Sequence, residues 1–132
     1  MKEDLFLEIH VLCDEPYRVS GKDMEIVMIP FTGTVDGDLF RGKTVGTGVD
    51  TQKIGADGSF LLSARYMLEG TDAAGNACRI FIENQGNEKD GFVPRVVTDS
   101  PLLQSWAEAD LYSTLEGAPG GVTVRIWKKV TG

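Results

Sequence analysis

The feature that most constrains this chain is an alternation of apolar and polar residues that recurs between glycine-rich turns. Successive side chains of a β-strand point to opposite sides of the sheet, so a period of two is typical of a strand with one buried face. The first such strand is predicted over residues 4–13, whose apolar face consists of Leu5, Leu7, Ile9, Val11 and Cys13. The pattern predicts an all-β protein.

The number of strand-like segments predicts the architecture. They follow at residues 24–31, 32–54, 56–70, 76–84, 91–98, 109–117 and 121–130. One short helix is predicted over residues 101–108, because Asp99 or Ser100 can cap it and Pro101 suits its first turn. We predict a single domain, residues 1–132, folded as one antiparallel β-barrel of about eight strands, since closure removes exposed sheet edges. A β-sandwich is the alternative.

The charge balance excludes two classes of partner. Thirteen Lys and Arg residues face twenty Asp and Glu residues, which leaves a net charge of −7 and no basic run. Nucleic acids and anionic membrane surfaces are bound largely through Lys and Arg, so neither partner is expected. The first eight residues include three acidic side chains and no long apolar run, which predicts a cytoplasmic protein.

Cysteine and histidine usage predicts no metal site and no cofactor. Cys13 and Cys78 are far apart in the sequence, and His10 is the only histidine. We expect both cysteines to be free, buried and structural, because no CxxC motif or histidine cluster accompanies them. No phosphate-binding loop, dinucleotide fingerprint or nucleophile motif occurs.

Two adjacent residues, Arg65 and Tyr66, lie near the middle of a predicted strand. If Gly70 pairs with Asn76 across the following turn, Tyr66 and Asn84 share a nearly apolar face, and Arg65 points to the other side. Tyr66 is then either a core aromatic residue or a hydrogen-bond donor and general acid in a pocket, where Asn84 adds a polar group.

Arg65 has two possible roles on the opposite face. In the predicted register it lies across from Phe81 and diagonal to Glu83, within reach of a cation–π contact and an ion pair. The other interpretation is an anchor for a ligand carboxylate, which a planar guanidinium binds in a bidentate manner.

The stretch GTGVDTQ contains the other candidate polar group. Asp50 and Gln52 lie on one side of a strand, where they can hold a ligand hydroxyl or where Asp50 can act as a general base. The alternative is that both satisfy backbone groups near the glycines. Trp106 is either a packing residue or an aromatic lid over a ligand at the barrel mouth.

Four segments in the same order resemble uncharacterised protein family 0311, also catalogued as domain of unknown function 3237: GTGVDTQ, ADGSFLLSARYMLEGTDAAG, IFIENQG and SPLLQSWAEADLY. The resemblance implies a small all-β barrel and brings no established activity. In that family the segment around Asp50 often reads Gly-Ala-Asp-Trp-Gln. Here Thr51 replaces the aromatic residue, which implies a different ligand if that aromatic lines the pocket.

Three functions fit these observations. The first is a barrel that binds a small polar organic metabolite at its mouth. The second is a cofactor-independent lyase, isomerase or hydrolase with Asp50 as base and Tyr66 as acid. The third is a structural protein that forms a homo-oligomer through outer apolar positions around Met67 and Phe81.

Overall fold

The computed structural model describes residues 4–129, which form ten β-strands and one short helix. This confirms the predicted all-β class and the helix within residues 101–108. The elements are β1 (Asp4–Cys13), β2 (Tyr17–Ser20), β3 (Met24–Asp36), β4 (Phe40–Thr44), β5 (Gly48–Gly55), β6 (Phe60–Asp72), β7 (Ala77–Asn87), β8 (Gly91–Thr98), α1 (Gln104–Ala107), β9 (Leu111–Ala118) and β10 (Gly121–Lys128).

The strands close into an antiparallel barrel with eight positions, as predicted. Strand β1 pairs with β10 on one side and with β3 on the other, which closes the sheet. Strands β4 and β5 occupy one position in succession, since both pair with β3 and with β6. Strand β2 continues the line of β1 along β3. Within residues 4–129, no helix is long and apolar enough to span a membrane.

A bulge in β1 corrects one predicted core position. The pairing with β10 shifts between Leu5 and Leu7. An extra residue in one strand lets two neighbours face the same side. Phe6 and Leu7 are therefore both buried, while Leu5 is 40% exposed. Leu5 was predicted to face the core, and this is wrong because strict alternation does not take the bulge into account.

The hairpin between β6 and β7 confirms the predicted faces but not the predicted register. Gly70 pairs with Cys78, not with Asn76. The centre of the turn lies further towards the C-terminus than predicted. The reason is that the Asp72 carboxylate accepts hydrogen bonds from the backbone N–H groups of Ala74 and Asn76 at 2.9 and 3.1 Å. A shift of two residues preserves the sides to which the side chains point.

Strand β8 is held unequally by its two neighbours. It pairs with β7 from Asn87–Gly91 to Ile80–Thr98, but with β9 only at Phe92 and Ser113. Pro94 lies in this strand and has no N–H to donate to a ladder. The contact between β8 and β9 is therefore the weakest seam of the barrel.

The segment before β9 closes one end of the barrel. Leu103 is fully buried in the core. The backbone N–H of Leu103 donates a hydrogen bond to the Ser100 hydroxyl at 3.2 Å. The same hydroxyl donates to Asp72 at 2.7 Å. Ser100 thus caps the turn that precedes α1 and ties it to the β6–β7 hairpin. The prediction that Asp99 or Ser100 caps the helix itself is wrong, because α1 begins later than expected and its N-cap is Leu103, which makes no side-chain cap hydrogen bond.

Candidate functional site

A small cavity lies inside the barrel, towards the end of β1. Its volume is about 60 Å³. Seven strands contribute its mostly apolar lining, namely Val11, Cys13, Phe31, Asp50, Leu62, Ala64, Tyr66, Asn84, Leu115, Val122 and Val124. The polar groups Asp50, Tyr66 and Asn84 therefore meet in one place, although they come from three different strands.

Asp50 presents one free carboxylate oxygen to this cavity. Its position in β5 is fixed by pairing with Ile29 of β3 and Ala64 of β6. The Gln52 side chain donates a hydrogen bond from Nε2 to Asp50 Oδ2 at 3.0 Å. Among residues 4–129, Asp50 Oδ1 is buried and has no hydrogen-bond partner. Burial raises the pKa of Asp50 above its ordinary value, and the bond from Gln52 partly opposes this.

Tyr66 brings the second unsatisfied polar atom. Its side chain is 5% exposed, and its hydroxyl has no hydrogen-bond partner within the described part of the chain. Burial alone raises the pKa of this phenol, so the group stays protonated and can donate. Its ring meets Phe31 edge to face, with 5.2 Å between centroids. The predicted inward orientation is confirmed.

Asn84 is oriented by a residue that the sequence did not single out. The Ser113 hydroxyl donates a hydrogen bond to Asn84 Oδ1 at 2.9 Å, and both side chains are buried. Ser113 lies on β9, so the bond passes inside the barrel across the position of β8. Alternation in residues 109–117 predicts the side of the sheet on which Ser113 lies. The contact with Asn84 depends on the strand order, which alternation does not predict.

Cys13 corrects a second prediction. It is a free thiol, as expected, but it is exposed at the cavity instead of buried in the core. Partial burial raises its pKa, and the nearby charges of Asp50 and Asp14 raise it further. Cys78 is free and buried, as predicted. Within residues 4–129, no three His, Cys, Asp or Glu side chains are grouped to hold a metal ion.

Arg65 lies outside the barrel, on the far side of the sheet from Tyr66. It is 66% exposed and its Nε is 2.8 Å from Glu83 Oε2, directly across the ladder. The predicted ion pair is therefore present, although the predicted position across from Phe81 is wrong because the register differs. Arg65 also lines a groove of about 300 Å³ on the outer face, together with Met28, Val49, Thr51, Lys53, Leu61, Ser63 and Gln85.

The outer groove is a weaker candidate than the inner cavity. Neither of the two buried atoms without a partner in residues 4–129, on Asp50 and Tyr66, lies in the groove. Thr51 faces this groove. An aromatic residue at that position would therefore not line the cavity, so the substitution at Thr51 does not bear on the cavity ligand.

Trp106 lies at the opposite end of the barrel from the cavity. Its ring stacks on Phe6 at 5.3 Å, and Lys128 Nζ lies 4.6 Å from the ring centroid. Phe6 is near the start of β1, whereas Cys13 at the cavity is its last residue. Trp106 therefore packs over the closed end and is not part of the candidate site.

The outer apolar positions form a short stripe. Met67 pairs with Phe81, which pairs in turn with Val97, a residue that is 66% exposed. Met67 and Phe81 are themselves half-buried. The stripe is where the predicted oligomer contact would lie.

Known proteins were compared with this chain in sequence and in structure. A UPF0311 protein of Clostridium acetobutylicum is 36% identical over 87 residues, which are 64% of this chain and 52% of that protein, so the chain spans about half the length of this relative. A crystal structure of a protein with unknown function from Clostridium acetobutylicum has a TM-score of 0.80 at 25% identity and covers 98% of this chain and 100% of that chain.

An enzyme from Penicillium herquei shares the fold. Its crystal structure has a TM-score of 0.76 at 14% identity and covers 96% of this chain and 92% of that chain. The family model described as "Protein of unknown function (DUF3237)" matches residues 2–101, about three quarters of the sequence. The chain therefore belongs to this family, as its four characteristic segments predicted.

Proposed function

We propose that this protein binds a small organic molecule in the cavity formed by Asp50, Tyr66 and Asn84. The observation that carries the proposal is that Asp50 Oδ1 and the Tyr66 hydroxyl are both buried, both without a partner in residues 4–129, and both in the same cavity. A buried polar group without a hydrogen bond costs about 1–3 kcal/mol. A ligand that bonds to both groups recovers this free energy.

The cavity dimensions and lining support a small ligand. Drug-sized molecules occupy pockets of about 300–1,000 Å³, whereas this cavity measures about 60 Å³. Apolar side chains dominate the lining, and the exposed residues Cys13 and Leu115 connect it to solvent. The two free thiols support action in the cytoplasm.

A thermal-shift screen of a small-metabolite library tests the binding proposal. Compounds that bind the cavity should raise the melting temperature of the wild-type protein by several degrees at saturating concentration. The shift should be lost in Tyr66→Phe and Asp50→Asn. The matched control Arg65→Gln changes the neighbouring residue on the outer face and should keep it. Hits that keep full shifts in both cavity variants, or a library without hits, would overturn the proposal.

Acid–base catalysis is a second candidate for the same site. It is favoured by the raised pKa of Asp50, which makes this carboxylate a stronger base than an exposed one. Asp50 Oδ1 would take a proton from the bound molecule, while the Tyr66 hydroxyl donates a hydrogen bond to the oxygen that gains negative charge. An enzyme from Penicillium herquei has the same fold, so this barrel is compatible with catalysis.

Turnover measurements separate the enzyme from the binding protein. Each compound found in the screen is incubated with wild-type protein and followed by NMR for conversion. If the site is catalytic, Asp50→Asn should lower the rate about 100-fold or more, since this is the usual contribution of a general base. Equal conversion by Asp50→Asn and wild type would show that Asp50 is not the base.

A further inference from the structure

We infer that the ligand of this cavity is an uncharged molecule that carries a carbonyl group next to a hydrogen-bond donor. The inference rests on the proposed small-molecule function and specifies its chemical class. It follows from which hydrogen-bonding atoms the protein leaves available, which ones it has already used, and which charges surround them.

Asn84 offers the ligand a donor and not an acceptor. An amide side chain has one carbonyl oxygen and one NH₂ group. The Ser113 hydroxyl occupies the carbonyl oxygen of Asn84 at 2.9 Å. The Nδ2 group is therefore the polar part of Asn84 that is available to a ligand in the cavity. Ser113 is a positioning residue, because it acts through Asn84.

Tyr66 adds a second donor close to the first. Its hydroxyl has no partner among residues 4–129 and stays protonated. Tyr66 lies across the β6–β7 ladder from Ile82, and Asn84 follows two residues later on the same face. Diagonal neighbours on one face of a sheet are within reach of long side chains. Two donors that line one mostly apolar cavity suit one carbonyl oxygen, which has two lone pairs.

Asp50 supplies the complementary acceptor. Gln52 donates to Oδ2, so Oδ1 is the oxygen left for the ligand. A carboxylate only accepts hydrogen bonds, so the ligand must bring an O–H or N–H group. Gln52 is a second positioning residue, since its bond decides which oxygen of Asp50 remains free.

The charges around the cavity exclude an anionic ligand. No Lys, Arg or His is among the described residues that line it. A ligand carboxylate or phosphate would face the Asp50 side chain without a counter-charge, and two like charges close together in a largely apolar cavity repel each other. The cationic groups of this part of the sheet, Lys53 and Arg65, line the groove on its outer side.

Three small compounds of equal chain length separate these requirements. 3-Hydroxybutan-2-one has a carbonyl beside a hydroxyl, butane-2,3-diol lacks the carbonyl, and 2-oxobutanoate has the carbonyl but is an anion. Each is titrated into ¹⁵N-labelled protein, and the shifts of the Asn84 side-chain NH₂ signal and of the cavity backbone amides give the dissociation constant. We expect the hydroxyketone to bind about tenfold more tightly than either comparison compound, which corresponds to one buried hydrogen bond.

The outcomes distinguish the chemical class from the function itself. Equal binding of the diol at the cavity would leave the binding function intact and overturn the carbonyl requirement. Equal or tighter binding of 2-oxobutanoate would overturn the requirement for an uncharged ligand. If none of the three shifts the cavity signals, the inferred class is wrong, and the binding function is judged by the library screen alone.

Variants of Ser113 test its positioning role. Ser113→Ala removes the hydrogen bond that orients the Asn84 amide, so Nδ2 no longer points reliably at the ligand carbonyl. The tenfold preference for the hydroxyketone over the diol should therefore fall to about twofold or less. Ser113→Thr keeps the hydroxyl and should restore the preference. If Ser113→Ala does not fold, Asn84→Leu provides the second variant and should abolish the preference as well. An unchanged preference in a folded Ser113→Ala or Asn84→Leu protein would contradict the inference.

Discussion

Two carboxylates of this barrel, the buried Asp72 and the half-buried Asp50, have pKa values shifted in opposite directions. Asp72 accepts hydrogen bonds from Ser100 and from two backbone N–H groups, and these bonds, that from Ser100 above all, lower its pKa. Asp50 has one side-chain partner and an unsatisfied oxygen, and burial raises its pKa. The hydrogen bonds of Asp72 therefore stabilise the fold, whereas the unsatisfied oxygen of Asp50 in the cavity destabilises it.

These opposite shifts predict opposite effects of pH on stability. The pKa of Asp50 in the folded protein lies above 3.8, so the wild-type protein loses stability as the pH rises from 3.8 through the raised pKa. Asp50→Asn should therefore gain free energy of unfolding relative to wild type over this interval, and the gain should level off at neutral pH. Urea unfolding from acidic to neutral pH measures it.

Asp72→Asn serves as the contrasting variant. In the folded wild-type protein the pKa of Asp72 lies below 3.8. The stabilising effect of the Asp72 carboxylate is therefore fully present above pH 3.8 and is lost as the pH falls through the pKa of the folded state. Asp72→Asn should therefore be most destabilised near neutral pH. If the stability difference between Asp50→Asn and wild type did not vary with pH, the pKa of Asp50 would not be raised in the folded protein, and the prediction would be wrong.

Single residues also show how far sequence reasoning reaches. The inward faces of Tyr66, Asp50 and Asn84 follow from alternation, because a period of two fixes sides once a strand is located. Ser113 as the partner of Asn84 does not follow, since this contact depends on which strands are near each other inside the closed barrel. Trp106 was assigned two roles, and only the packing of α1 against Phe6 places it away from the cavity.

At the level of elements, one glycine of β5 determines the shape of the cavity wall. Gly48 pairs with Phe31 of β3. A Cβ atom added to Gly48 would lie 2.6 Å from the Phe31 ring and 2.7 Å from Tyr66 Cβ. Such separations are shorter than van der Waals contact, so the edge-to-face arrangement of the two rings requires glycine here.

Gly48→Ala should therefore destabilise the protein by about 1–3 kcal/mol, the usual cost of overpacking a core. It should also displace Tyr66 and weaken binding at the cavity. Gly117→Ala is the matched control, because a Cβ atom there meets nothing within 4 Å, and it should change stability by no more than about 0.5 kcal/mol. Urea unfolding checks both variants, and equal stabilities would contradict the tight packing at Gly48.

The two errors in predicted strand geometry have local causes that a periodic pattern does not contain. The bulge at Phe6 changes which residues are buried without changing the apolar composition of β1. The register of the β6–β7 hairpin depends on the hydrogen bonds that backbone N–H groups of the turn donate to the Asp72 carboxylate. Both features alter the pairing by one or two residues, which alternation alone does not determine.

At the level of the whole molecule, the barrel is closed unevenly. Strand β8 is fully paired with β7 but shares a single pair with β9. Inside the barrel, the Ser113–Asn84 hydrogen bond connects β9 to β7 past this seam. Barrel closure itself was predictable from the number of short strands and turns, whereas the position of the seam depends on the strand order.

Hydrogen exchange should reveal this unevenness. Amides of β8 that face β9 should exchange faster than those between β6 and β7, because fewer hydrogen bonds hold them. Ser113→Ala should speed exchange in β8 about tenfold, as expected for one lost hydrogen bond of about 1 kcal/mol. Ser63→Ala, on the outer face of the β6–β7 ladder, should leave exchange in β8 unchanged. Equal acceleration by both variants would rule out a special role for Ser113 at the seam.

The bond between Ser113 and Asn84 therefore has two thermodynamic consequences at once. It holds the two sides of the seam together, and it sets the direction of the amide that a ligand would contact. When two equilibria depend on the same contact they are coupled, and the coupling is reciprocal. A bound ligand that tightens Asn84 against Ser113 will lower the equilibrium constant for opening of the seam, and opening of the seam will lower the affinity for that ligand by the same factor.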